Sequence, residues 1–99
     1  MGAQVLDVPD VLVKRGGDVG AHPPWNVTLH NDDHHTIQEV VLQVQKATGV
    51  SPHRAFEITM EVHTHGQSVC FTGTLDECKC VADVLREIAL TVTLDMAPP

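Results

Sequence analysis

Trp25, Val27 and Leu29 alternate with Asn26, Thr28 and His30, the period of a strand with one buried face. The pattern stops at Asn31-Asp32-Asp33, residue types that favour turns. Thr36-Ile37-Gln38-Glu39 then predicts a capping box, the Thr hydroxyl taking the Glu39 N–H while the Glu39 carboxylate reaches back. Ile37, Val40, Val41 and Val44 follow at helical spacing, and Gly49 is placed to end that helix. Ser51-Pro52 reads as an N-cap with proline at the first helical position. Ala55, Ile58, Thr59 and Val62 form the stripe of a second helix, His63 lies near its end, and Gly66 is its stop. Ser68 to Thr72 alternates around Val69 and Phe71 as a second strand. Leu75 to Ala89 predicts a third helix with Cys78, Val81, Ala82, Leu85 and Ile88 on one face, and Thr91 to Leu94 a third strand. The order is β-α-α-β-α-β. It predicts an α+β fold: one small domain, a three-stranded antiparallel sheet and three helices on one of its faces.

Residues 1–24 carry no sustained period and contain Gly16-Gly17, Gly20 and Pro23-Pro24. They read as a flexible extension hinged at the two prolines, before a core at 25–96. A chain of 99 residues suits a single core. With aromatic residues at only 3%, that core must be built from Val, Leu, Ile and Ala. A formal charge of -7 argues against nucleic acid, whose phosphates need a basic face, and suits a partner bearing cations. No apolar run reaches membrane-span length, and the N-terminus lacks the pattern of a signal peptide. Three cysteines do not make an extracellular disulfide framework. A reducing cytoplasm is expected, and a monomer.

Seven histidines and three cysteines raise the question of metal. His34-His35 cannot both face one ion from a regular element, and His63 and His65 are two apart at a helix end. Cys78-Lys79-Cys80 on a helix sends its thiols apart. None has the spacing of a structural zinc site, so no metal or cofactor is expected. A hydrolase built on Asp32, Asp33 and His63 would need a nucleophile beside the base. Ser68 and Cys70 are nearby in sequence, without the turn that activates a nucleophile. Recognition of an ammonium group uses more of these residues. Its three donors need acceptors, which an Asn oxygen, carboxylates and a neutral imidazole nitrogen supply. The residues alone leave competing accounts open: Asn31-Asp32-Asp33 as a plain turn with His63 as a helix-end cation, or a small histidine-dependent metal-binding domain or hydrolase using the same acidic and histidine cluster.

Pro23-Pro24, the strand Trp25 to Leu29, Asn31-Asp32-Asp33, Arg54-Ala55 and Val62-His63-Thr64-His65-Gly66 followed by Cys70 together resemble the ClpS family, from Pro23 to about Asp95. The resemblance implies a non-enzymatic adaptor in a bacterial cytoplasm rather than a plastid stroma. Such an adaptor binds proteins by a bulky hydrophobic N-terminal residue (Leu, Phe, Tyr or Trp) and delivers them to a ClpA- or ClpC-type AAA+ unfoldase coupled to ClpP. It implies amine contacts from Asn31, Asp32, Asp33 and His63, and a side-chain pocket of Ile37, Val40, Thr59 and Val62. It also implies docking on the unfoldase through Glu77 and Lys79, and engagement of residues 1–24 by the unfoldase. Where the family usually has Thr-Pro-Met after N-D-D-x, this chain has His35-Thr36-Ile37, and Thr59 stands where a larger apolar residue is usual. A reshaped pocket with an altered preference among the four residues is therefore expected.

Overall fold

The computed structural model describes residues 23–98. The expected extension at 1–24 lies outside them, apart from Pro23 and Pro24. Six elements follow in the order β1 (Trp25–His30), α1 (Ile37–Thr48), α2 (Pro52–His65), β2 (Gln67–Gly73), α3 (Leu75–Arg86) and β3 (Thr91–Met96). The sheet is antiparallel with order β2-β1-β3, so β1, the strand that leads into the acidic turn, is central. Its inward side chains Val27 and Leu29 are fully buried. Around them pack Val44 of α1, Ala55, Ile58 and Val62 of α2, and Cys78, Val81, Ala82 and Leu85 of α3. The other face of β1 carries Asn26 and His30, which bond across strands to Thr72 (2.6 Å) and Thr93 (2.9 Å).

The helix boundaries follow local chemistry. Thr36 and Glu39 form the reciprocal capping box, with the Thr36 N–H donating to the Glu39 carboxylate at 2.8 Å. Gly49 ends α1 at φ 77° and Gly66 ends α2 at φ 89°, left-handed conformations that cost other residues energy. Ser51 caps α2 ahead of Pro52. Thr74 and Glu77 form a second capping box at α3, so the Glu77 carboxylate is occupied by the Thr74 N–H at 2.9 Å.

Two features differ from the simple pattern. In β2 the register slips, Val27 pairing with Phe71 but Thr28 with Val69. Cys70 is thus the extra residue of a bulge. Ser68 and Cys70 point inward, the half-buried Phe71 packs on the core after the bulge, and Val69 is left 42% exposed. Helix α3 stops at Arg86 rather than Ala89. The chain then turns tightly, with the Ala89 N–H bonded to the Arg86 carbonyl at 2.9 Å and Ala89 at φ 63°. That conformation disfavours a residue with a Cβ, but it lets Leu90 re-enter the core, 4% exposed.

Candidate functional site

The site forms where β1 ends beside the C-terminus of α2. Gly66 closes α2 by donating its N–H to the Val62 carbonyl at 2.9 Å, and its own carbonyl accepts the Asn31 N–H at 2.9 Å. This second bond joins the first residue after β1 to the last turn of the helix that carries His63. A cleft of roughly 220 Å³ opens between them, lined by Leu29, Asn31, Asp33, Thr59, Val62 and His63, and further by His30, Asp32, His35, Ile37, Val40 and Leu90. All four residues expected at an amine and all four expected at a side chain therefore line one cavity. Glu77 and Lys79 do not line it; both are exposed on the first turns of α3.

Polarity in the cleft is divided. Asn31, Asp33 and His63 are exposed at its rim. Thr59 and Val62 are 3% and 5% exposed and make its apolar base with Leu29 and Leu90. The Thr59 hydroxyl donates to the Ala55 carbonyl at 2.8 Å, which satisfies the group within α2 and leaves the methyl as apolar surface. Ile37, on the first turn of α1, is 38% exposed and stands at the edge. No Lys or Arg is among the lining residues; Asp32 is paired with the His35 ring, and the Asp33 carboxylate gives the cavity a negative potential that attracts cations.

The two carboxylates are used differently. An Asp32 oxygen accepts the N–H of His34 at 2.8 Å and that of His35 at 3.2 Å, the local bonding of an Asx turn. The His35 ring also donates to it, Nδ1 lying 3.0 Å from each oxygen. Burial by itself raises the Asp32 carboxyl pKa, but the His35 ring and the two backbone N–H groups together take it below 3.8. Asp32 therefore holds the loop in shape, and among the described residues the Asp33 carboxylate makes no such bonds. The far side of the His35 ring reaches the Ile88 carbonyl.

Four lining residues, Leu29, His30, His35 and Leu90, lie outside the expected site set. The sequence pattern does not mark His35 because its partner, the Ile88 carbonyl, lies 53 positions away. Leu90 enters the cleft only because α3 stops early. Ser68 and Cys70 do not serve His63. The Ser68 hydroxyl donates to Glu61 at 2.8 Å, and burial pushes the Cys70 thiol up to about 12, far from a reactive thiolate. Among the described residues no three His, Cys, Asp or Glu side chains come together as metal ligands, and no helix is long and apolar enough to cross a membrane.

Comparison with known proteins gives the family and the fold. The family model described as ATP-dependent Clp protease adaptor protein ClpS matches residues 21–93. The Clp protease adapter protein ClpS of Thermosynechococcus vestitus is 32% identical over 78 residues, 78% of this chain and 79% of that protein. That of Synechococcus elongatus is 25% identical over 96 residues, covering 96% and 97%. The solved structure of Agrobacterium tumefaciens ClpS2 bound to L-phenylalaninamide shares the fold with a TM-score of 0.71 at 18% identity, over 76% of this chain and 98% of that one. On the family match and the length of these alignments, the chain belongs to the ClpS family of ATP-dependent Clp protease adaptor proteins.

Proposed function

We propose that the cleft receives the N-terminal residue of a protein to be degraded, its α-ammonium group at the rim and its side chain against the apolar base. The observation that carries this reading is the meeting of Asn31, Asp33 and His63 with Ile37, Val40, Thr59 and Val62 around one cavity. Three acceptors match the three donors of an ammonium group, with Asp32, paired with the His35 ring, shaping the loop. Each charge-assisted hydrogen bond contributes about 1.5–3 kcal/mol, and burial of one apolar side chain about as much again. After the cost of association the result is a reversible complex. A cavity of roughly 220 Å³ is smaller than the ~300–1,000 Å³ typical of small-molecule sites and suits a single side chain of the Leu, Phe, Tyr or Trp class. L-phenylalaninamide, the ligand of the Agrobacterium tumefaciens protein, has this chemistry: a free α-amino group beside an apolar side chain.

Delivery to a ClpA- or ClpC-type AAA+ unfoldase with ClpP completes the proposed role, in a bacterial cytoplasm. The exposed start of α3, with Glu77 and Lys79, is the proposed docking surface. Because Glu77 also caps α3, a Glu77 variant must be checked for helix stability before any loss of docking is assigned to it. The cleft itself is tested with a fluorescent peptide beginning with free Leu or Phe and its N-acetylated twin. The free peptide should bind and the acetylated one should not. Equal affinities would remove the ammonium from the model.

A further inference from the structure

The loop between β1 and α1 is tied down by a side chain of its own. His35 is 13% exposed. Its Nδ1 lies 3.0 Å from both oxygens of Asp32, and its Nε2 is within hydrogen-bond reach of the Ile88 carbonyl. A carboxylate and a carbonyl only accept, so both contacts are hydrogen bonds only when both ring nitrogens carry protons. The imidazolium ion meets that condition. A neutral ring keeps one bond and turns a lone pair toward the other acceptor. The two anchors also matter for the cleft. Asp32 sits between Asn31 and Asp33 in sequence, and Ile88 precedes the left-handed Ala89 and the cleft-lining Leu90. One ring thus spans the amine side of the cavity and a residue of its apolar base.

We propose that His35 is a positioning residue for N-terminal amine recognition: as an imidazolium it straps the Asn31–Asp33 loop to the turn between α3 and β3, and the strap slackens when the ring gives up its proton. The proposal rests on the function argued above. The charged and titratable groups around the ring are Asp32 and Asp33 on its own loop and Glu39 in the first turn of α1. His30 of β1 and His63 of α2 share the cleft. From the α3–β3 turn the ring meets the Ile88 carbonyl, while Glu87 is held by Lys46 at 2.8 Å. The bond to Asp32, then that to Ile88, outweighs burial and holds the ring's pKa above 6.5. The proton is therefore retained further into the neutral range than on a free histidine.

Two measurements on the full chain test the strap. In the free protein, NMR titration of the ring should place the His35 midpoint above 6.5 and lower it in Asp32→Asn. A midpoint at or below 6.5 overturns the proposal, and this readout needs neither peptide nor a His35 variant. The affinity of a free N-terminal Leu peptide is then compared for the wild type and His35→Gln at matched pH. At each pH the ratio cancels ionisation of the peptide amine. The wild type should bind at least about fivefold tighter at pH 6, in the range of ordinary coupling between sites, with the advantage shrinking toward onefold by pH 8.5. A ratio that stays constant with pH overturns the strap. If neither protein binds the peptide at any pH, the proposed function fails instead, and the NMR midpoint still decides whether the ring is held as an imidazolium.

Discussion

The N–H of Asn31 donates to the carbonyl of Gly66 at 2.9 Å, so the residue that starts the acidic turn and the residue that ends α2 are joined through their backbones. Gly66 can do this because it lies at φ 89° and directs the chain out of the helix toward β2. The bond sets the relation between Asn31 and His63, three residues before Gly66.

Replacing Gly66 with Ala tests that relation. A Cβ there meets nothing within 4 Å, as at Gly49 with φ 77°, so the cost in each case is backbone conformation, about 1–2 kcal/mol. Urea denaturation should give similar losses for Gly66→Ala and Gly49→Ala. Only Gly66→Ala should also weaken binding of a free N-terminal Leu peptide. Equal affinities in the two variants would show that this junction does not shape the cleft.

His63 is exposed at the rim, where its removal does not open the core. His63→Ala should leave the unfolding free energy within about 0.5 kcal/mol of wild type. It should weaken peptide binding roughly tenfold, the low end for a charge-assisted bond because water reaches the site. An imidazole nitrogen accepts only when unprotonated, so the advantage of wild type over His63→Ala should shrink on acidification. A wild-type to His63→Ala affinity ratio that stays constant from pH 8 to pH 5 takes His63 out of the acceptor role.

The Asp32–His35 pair makes stability depend on pH from both sides. His35 has a folded-state pKa raised above 6.5, chiefly by its bond to Asp32. Its contribution is complete below the unfolded value and disappears as pH rises through the folded one. Asp32 has a folded-state pKa lowered below 3.8 despite burial. Its contribution is present above the unfolded value and disappears as pH falls through the folded one. The stability lost in His35→Gln should therefore be greatest near pH 5 and smaller at pH 9. Thermal melts of both proteins at the two pH values measure it, and an unchanged difference contradicts the ionic form of the pair.

Thr59 sets the floor of the cleft with a methyl, its hydroxyl being bonded to the Ala55 carbonyl. Thr59→Met fills space that the present side chain leaves open. Peptides differing only in a first residue of Leu, Phe, Tyr or Trp should bind the two proteins in a different order, with the largest residue losing most in Thr59→Met. An identical ranking would mean that the residue at 59 does not select the ligand.

What the amino-acid sequence determined by itself is what is decided within four residues. The Thr36–Glu39 box, the Ser51–Pro52 start and the glycine stops at 49 and 66 are local bonds or local dihedral preferences, so the sequence pattern locates them. The alternation from Trp25 to His30 likewise marked the strand that leads to Asn31. Tertiary structure decided what depends on distant partners. The bulge at Cys70 arises from pairing with Val27 and Thr28, and no property of Val69 alone foretells its exposure. The stop of α3 at Arg86 accompanies the packing of Ile88 and Leu90 against the core. His35 and His34 are adjacent and chemically alike, yet only His35 reaches across 53 positions to the Ile88 carbonyl. That contact exists because folding brings the α3–β3 turn beside the acidic loop, and a periodicity over a few residues carries no record of which distant backbone will face a ring.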